Sequence, residues 1–140
     1  MFALVVAVLC LFAATATVAG EVPKTVQELN QSGGSQLSAL ETRKLLAGAF
    51  VLTTPQSNRT ITYEHAADGE LWVVVRGQFI PDYRKRGDWR VKDEGAYCVK
   101  VLWPMGPEDW CQYVFKLGDQ YYLSGRKGDK AILKPFNIRK

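Results

Sequence analysis

The sequence contains few histidines and cysteines, which are common ligands of zinc. It has one histidine and three cysteines among 140 residues, whereas a structural zinc site needs four cysteine or histidine ligands. The G-x-S-x-G and H-E-x-x-H motifs do not occur in the sequence, and no glycine-rich phosphate loop opens a helix. We therefore expect no metal site, no cofactor and no enzymatic activity.

Charged residues are missing from the first twenty positions. An apolar run from Phe2 to Ala14 is followed by small residues up to Gly20, which is the pattern of a secretory signal peptide. An uncleaved anchor is the alternative, but a membrane span needs about 20 strongly apolar residues, and the run weakens after Phe12. We predict a signal peptide over residues 1–20 and a periplasmic or secreted protein. If the segment is not cleaved, we expect it to be the only part of the protein that contacts a membrane.

The rest of the chain has the composition of a folded domain. Hydrophobic residues make up 47% of the sequence and charged residues 23%, with four tryptophans, six tyrosines and six phenylalanines. A disordered chain would have fewer aromatic residues and more charge. The length allows one ordinary domain and argues against a cofactor-binding α/β enzyme, which needs several βαβ units.

The residues before the first strand divide into a leader and a helix. Residues 21–36 are polar and include the run Gln-Ser-Gly-Gly-Ser, which predicts a flexible leader. Ser38 and Glu41 have the spacing of a capping box, and this predicts a short helix from about Ala39 to Ala47. The side chains expected to pack this helix on a sheet are Leu40 and either Leu45 or Leu46.

Every segment after Ala49 has the pattern of strands and turns. Apolar and polar residues alternate at residues 60–64 and 89–92, and turns that contain glycine separate such segments at short, even intervals. This spacing is typical of an antiparallel meander. We predict one mainly β domain over residues 37–140, with the short N-terminal helix packed on an antiparallel meander of about seven or eight strands. The meander would be a curved sheet or a small calycin-like barrel.

Cys98 and Cys111 are the two cysteines that remain after removal of the signal peptide. A cysteine pair in an exported domain indicates a disulfide. A hairpin whose turn is centred between Pro104 and Met105 would set three pairs of residues opposite each other: Cys98 and Cys111, Lys100 and Asp109, and Val99 and Trp110. We predict this hairpin, with a disulfide that contributes about 2–3 kcal/mol.

The residues of the helix, the turns, one strand and the cysteine pair form one pattern along the chain. The residues of the pattern belong to the helix and its cap, two turns, a core strand and the cysteine pair: Leu37, Ser38, Glu41, Leu45, Leu46, Gly48, Asp68, Gly69, Gly87, Trp89, Val91, Cys98 and Cys111. This pattern resembles a loose group of small exported proteobacterial domains of unknown function, over residues 37–140. The resemblance implies an exported, sheet-rich fold with a helix and no assigned catalytic residue. The basic run at residues 83–86 is outside the pattern.

The most informative polar feature is a basic segment of eight residues, 83–90. It has an aromatic residue beside four cations, and these candidate binding residues are Tyr83, Arg84, Lys85, Arg86 and Arg90. We expect the cations to be exposed on a loop that enters a strand, because burying an unpaired charge costs several kcal/mol. The nearby acids Asp82 and Asp88 are too few to neutralise them. The C-terminal cations expected to extend this positive surface are Lys134, Arg139 and Lys140.

A positive surface of this kind predicts an anionic partner. We expect an acidic protein or an anionic envelope component and, because the protein is exported, no nucleic acid. The predicted function is an exported, non-enzymatic binding module. The alternative for the segment is a charged strand edge that prevents unwanted pairing.

Aromatic residues are the second candidate feature. Trp103 lies beside a predicted loop tip, and an aromatic rim at the mouth of a small barrel suits an apolar or sugar ligand. The alternative function is therefore a small-molecule carrier of the calycin-like barrel type. His65 ends a predicted strand before a turn, and we expect it to be a surface histidine without a catalytic role.

Overall fold

The structure is a computed structural model that describes residues 21–53, 59–77 and 80–140. The predicted signal peptide, residues 1–20, lies outside the described residues. Within the described ranges there are two helices and ten strands: α1 (Val26–Gln31), β1 (Ser35–Gln36), α2 (Ala39–Leu46), β2 (Phe50–Leu52), β3 (Arg59–His65), β4 (Glu70–Gly77), β5 (Ile80–Val91), β6 (Ala96–Trp103), β7 (Gly106–Leu117), β8 (Gln120–Ser124), β9 (Lys134–Pro135) and β10 (Asn137–Arg139). No helix among these is long and apolar enough to cross a membrane.

The strands form one antiparallel, barrel-like sheet. Their order is β10-β2-β3-β4-β5-β6-β7-β8-β9, with β1 paired to β7, so the seven strands from β2 to β8 form a meander in chain order. Only Phe136 separates β9 from β10, yet β9 pairs with β8 and β10 pairs with β2. The C-terminal segment therefore connects the two edges of the sheet, which leaves few backbone groups unpaired at an edge. The predicted mainly β fold with a curved antiparallel meander is confirmed.

Large side chains fill the interior of this barrel. Alternate residues of each strand point inward, and they contact one another in a single cluster that includes Tyr63, Leu71, Trp89, Tyr97 and Val101. Trp89 is 7% exposed, so its predicted core position is confirmed.

Helix α2 begins with the predicted capping box. The Ser38 side chain accepts a hydrogen bond from the Glu41 N–H, and the Glu41 carboxylate accepts one from the Ser38 N–H at 2.8 Å. These bonds satisfy N–H groups that have no partner inside the helix. They also lower the pKa of the Glu41 carboxyl, because the charged carboxylate is the better acceptor.

One expectation for the packing of α2 is wrong. Leu46 is fully buried and Leu45 packs against the interior, but Leu40 is 58% exposed. The buried side of the helix passes through Thr42 and Leu46, which are four residues apart and therefore adjacent on the helix surface. Leu40 lies away from that side.

The prediction of a flexible leader at residues 21–36 is also wrong. Val26 and Leu29 of α1 are buried against the outer side of β7 and β8, and β1 pairs with β7. The glycine run serves this packing, because a Cβ atom on Gly34 would lie 2.4 Å from the Leu29 side chain. The small residues allow a close approach here, although their composition is that of a linker.

The β6–β7 hairpin has the predicted register. Cys98 pairs with Cys111 and forms a disulfide with it, with the two Cα atoms 4.0 Å apart. The same register pairs Lys100 with Asp109 and Val99 with Trp110. The prediction is confirmed. A disulfide is compatible with an oxidising, exported location.

Candidate functional site

The basic segment lies within β5, and not on a loop that enters a strand as expected. β5 pairs with β4 on one side and with β6 on the other. Because neighbouring residues of a strand point to opposite faces, Arg84, Arg86 and Arg90 face outward, whereas Tyr83 and Lys85 are on the inward-facing side. The three arginines are exposed and Lys85 is half-buried. The expected single basic surface is therefore divided between two faces of the sheet.

Two of the outward arginines are paired with carboxylates from other strands. Arg84 Nη2 lies 3.0 Å from Glu64 Oε2, and its guanidinium lies over the Trp72 ring, 4.4 Å from the centroid. Arg86 Nη2 lies 3.0 Å from Glu70 Oε2. These partners are not close to the segment in sequence, so a count of nearby acids could not find them.

The outward face of β3 to β7 has equal numbers of positive and negative side chains. Its outward positions have five cations and five carboxylates, which are Arg76, Arg84, Arg86, Arg90 and Lys100, with Glu64, Glu70, Asp82, Asp88 and Asp109. An open groove of about 530 Å³ on this face is lined by three cations and four carboxylates, one of them from the β3–β4 turn. The expectation that the segment forms the most positive surface is wrong.

The C-terminal cations do not extend the basic segment. Arg139 on β10 is separated from Arg86 on β5 by four steps in the sheet order, or about 19 Å at the usual strand spacing of about 4.8 Å. This exceeds the screening length of about 8 Å at physiological salt. The sheet order therefore places the C-terminal cations on strands that are not adjacent to β5.

The positive excess of the chain lies near its C-terminal end. Residues 116–140 contain seven lysines and arginines and two acids, whereas residues 21–115 contain eleven and twelve. A second groove, here called the C-terminal groove, has a volume of about 380 Å³ and is lined by Gln112, Leu123, Ser124, Gly125, Arg126, Lys130, Ala131, Ile132 and Lys134. Its three cations have no carboxylate within ion-pairing distance in the part of the chain that the structure describes, and no carboxylate lines the groove.

The loop that forms the C-terminal groove is held by the segment around α1. Backbone hydrogen bonds join Val26 N to Ala131 O at 3.0 Å and Leu133 N to Lys24 O at 2.9 Å. On the other side of the loop, Lys127 lies over the Tyr113 ring at 4.5 Å. A loop ordered before binding loses less conformational entropy when a ligand arrives. The charge asymmetry along the chain was the signal in the sequence that could have pointed to this groove.

Trp103 lies at the end of the barrel opposite α2, beside the β6–β7 turn. Its indole N–H donates to Glu108 at 2.9 Å, and the same carboxylate accepts hydrogen bonds from the Trp110 N–H at 2.7 Å and the Tyr63 hydroxyl at 2.8 Å. Tyr83 packs against Trp103 with the ring centroids 5.9 Å apart. Burial and the adjacent carboxylate raise the pKa of Tyr63. Glu108 therefore orders the aromatic side chains at this end of the barrel.

His65 is buried, and the expectation of a surface histidine is wrong. It is 3% exposed, with Nε2 2.7 Å from the Tyr97 hydroxyl and Nδ1 3.2 Å from the Ala49 carbonyl oxygen. The neutral ring with its proton on Nδ1 satisfies both partners, since Nδ1–H donates and Nε2 accepts. Burial lowers the pKa of His65 to about 4 and raises the pKa of Tyr97. Both ring nitrogens are occupied by partners inside the barrel.

No group of three or more histidine, cysteine, aspartate or glutamate side chains that could hold a metal ion occurs among the described residues.

Comparison with known proteins identifies no relative of this chain. No protein family, curated protein or solved structure matches it. The resemblance to small exported proteobacterial domains therefore stays a prediction.

Proposed function

We propose that the protein is an exported, non-enzymatic binding module, and that its ligand is an acidic segment of a partner protein bound in the C-terminal groove. The observation that carries this proposal is the set of three cations, Arg126, Lys130 and Lys134, in a groove without a lining carboxylate. The disulfide supports the exported part of the proposal, since disulfides persist in oxidising compartments.

The chemistry of the groove suits a peptide that combines acidic and apolar residues. Ile132 is 65% exposed between Lys130 and Lys134, so a bound segment could cover it while its carboxylates meet the cations. Each exposed ion pair contributes about 0.2–1 kcal/mol. A few such pairs give weak, reversible binding that decreases as salt screens the charges.

The basic segment of β5 is the weaker candidate for this ligand. An anion at Arg84 or Arg86 would have to compete with Glu64 or Glu70, each of which already lies 3.0 Å from its arginine. Arg90 and Lys85 have no carboxylate within ion-pairing distance in the described ranges, but they lie on opposite faces of the strand. The sequence-predicted residues thus do not converge on one ligand.

The small-molecule carrier is less well supported than the binding module. Tyr63 and Tyr97 each pack edge-to-face on Trp110 inside the barrel, with ring centroids 6.4 and 5.3 Å apart. A ligand in the interior would have to displace these side chains and their hydrogen bonds. A filled core with a cationic groove on the surface favours the module.

The proposal can be tested with a fluorescent polyglutamate peptide and fluorescence anisotropy. We expect the triple variant Arg126→Ser, Lys130→Ser, Lys134→Ser to lose about tenfold or more in affinity, which corresponds to about 1.4 kcal/mol. The matched control is Arg84→Ser, Arg86→Ser, Arg90→Ser, which removes the same charge from the outward face and should change affinity by less than about twofold.

Three outcomes would contradict the proposal. Equal losses in the two triple variants would mean that the peptide responds to net charge alone. A loss of affinity found only in the Arg84, Arg86 and Arg90 variant would mean that the peptide binds the basic segment. No binding by the unmodified protein at low salt, where screening is weakest, would exclude an acidic peptide as the ligand.

A further inference from the structure

The tip of the β6–β7 hairpin, residues 102–107, presents apolar side chains to solvent. Met105 is 99% exposed and Leu102 is 63% exposed. A tight turn needs residues such as proline and glycine, and polar residues are common beside them. Pro104 and Gly106 meet that need here, so the turn itself does not require an exposed methionine.

Two aromatic side chains lie directly behind the tip. Trp103 is half-buried and packs against Tyr83, which is 43% exposed. The hydrogen bond from Trp103 to Glu108 holds the indole in place. Tryptophan and tyrosine are enriched where a protein meets the headgroup layer of a membrane, because each has an apolar ring and a polar atom.

Two lysines lie close to Leu102, Lys85 on the inward-facing side of β5 and Lys100 on the outward side of β6. A shallow groove beside Leu102 is lined by three cations, Lys85, Arg86 and Lys100, and by one carboxylate, Asp88. Neither lysine has a carboxylate within ion-pairing distance in the part of the chain that is described. Lys100 is two residues from Leu102 on the outward side of β6, which is about 7 Å along a strand. The headgroup layer of one leaflet is about 5–8 Å thick.

We propose that this hairpin tip docks the protein on the surface of a membrane that contains anionic lipids. Met105 and Leu102 enter the headgroup layer, Trp103 and Tyr83 lie at its boundary, and the two lysines contact lipid phosphates. From the tip towards the barrel, the hairpin presents the apolar Met105, the aromatic Trp103 and the cationic Lys100, and this order matches the order of layers at the membrane surface. This contact is separate from the signal segment and from the C-terminal groove.

Vesicle sedimentation tests the proposal with phosphatidylcholine vesicles that contain or lack phosphatidylglycerol. We expect the protein to bind the anionic vesicles, and Leu102→Ser with Met105→Ser to reduce binding about tenfold or more, since these side chains provide the apolar burial. The matched control is Leu40→Ser on α2, a leucine that is 58% exposed at the opposite end of the barrel, which should bind as before. Lys85→Ser with Lys100→Ser should remove the preference for phosphatidylglycerol.

The outcomes distinguish this proposal from the function of the groove. Vesicle binding that survives the tip substitutions, or that is absent in the unmodified protein, overturns the membrane contact. Vesicle binding lost in the Arg126, Lys130 and Lys134 triple variant but kept in the tip variant would make lipid the ligand of the C-terminal groove. Unchanged thermal melting of the tip variant shows that a loss of binding is not a loss of fold.

Discussion

The outward face of β3 to β7 and the C-terminal groove are both rich in cations, but they differ in what surrounds those cations. On the outward face, Arg84 meets Glu64, which is 20 residues away in sequence, and each strand brings carboxylates to its neighbours. In the groove, the loop runs beside α1, which contributes backbone groups to it. Charge within a sheet is therefore set by the neighbouring strands, whereas charge in a surface loop follows the local sequence.

The two regions should also differ in how they respond to substitution. Several polar groups in and on the barrel have partners, such as Tyr97 for His65 and Glu64 for Arg84, so the removal of these groups should change the stability of the fold. The three groove cations lack such partners among the described residues, so their removal should change binding alone. Four predictions test this contrast, beginning with the largest expected effect.

Lowering the pH should destabilise the barrel through His65. In the unfolded chain this side chain takes up a proton below its ordinary pKa of 6.5, whereas in the folded protein its pKa is lowered to about 4. The stability that the neutral His65 contributes to the folded protein is therefore complete above pH 6.5 and is lost as the pH falls towards 4. The expected decrease in the free energy of unfolding is about 3 kcal/mol, measured by urea unfolding across this range.

Variants separate the effect of His65 from that of the carboxyl groups. His65→Phe should show a smaller decrease between these pH values than the unmodified protein, because the histidine no longer titrates. Lys130→Ser in the C-terminal groove should keep the unmodified pH profile. A His65→Phe profile parallel to the unmodified one would show that the buried imidazole does not link folding to pH.

Removing the disulfide should have the next largest effect. Cys98→Ser with Cys111→Ser should lower the free energy of unfolding by about 2–3 kcal/mol, because the bond closes a loop with a sequence separation of 13. Urea unfolding measures the change, and polyglutamate affinity at the C-terminal groove should be unaltered. A change in that affinity would mean that the two regions are coupled.

Neutralising Glu108 should destabilise the protein by about 2 kcal/mol, the usual cost for hydrogen bonds to a charged group. Glu108→Gln replaces a carboxylate that accepts from two indoles and one hydroxyl with an amide that has only one acceptor oxygen. The control Asp119→Asn removes the same charge at an exposed turn and should have little effect. Equal changes in the melting temperatures of the two variants would contradict the structural role of Glu108.

Removing the acids of the outward face should have the smallest effect on stability. It also tests directly whether the paired carboxylates make this face a weaker binding site than the C-terminal groove. Glu64→Gln with Glu70→Gln breaks two exposed ion pairs, each contributing about 0.2–1 kcal/mol. The freed Arg84 and Arg86 should then bind polyglutamate and raise the total binding up to about fivefold. If binding does not increase, the paired acids are not the reason that the outward face is the weaker site.

Local patterns in the sequence were sufficient where the interacting residues are close along the chain. The capping box of α2 joins residues three apart, and the β6–β7 hairpin follows from the positions of its turn and its two cysteines. Alternation also identified Trp89 as a core residue. These features depend on short separations, so nearby residues determine them.

Predictions failed where a partner from elsewhere in the chain decides the environment. His65 becomes buried because Tyr97 and Ala49 lie beside it in the barrel. The segment of residues 21–36 is ordered because Leu29 fits against a sheet that the local composition does not reveal. Neither partner is adjacent in sequence.

Periodicity, turns and short spacings along the chain are sufficient to predict the mainly β class, the helix cap, the hairpin register and the disulfide. Which cations have partners depends instead on how the strands are arranged in space. Pairing across strands brings Glu64 and Glu70 to the basic segment, whereas Arg126 and Lys130 of the loop after β8 and Lys134 of β9 have no lining carboxylate. The physical reason is that a charge interacts with its neighbours in space over about 8–10 Å, whatever their separation along the chain.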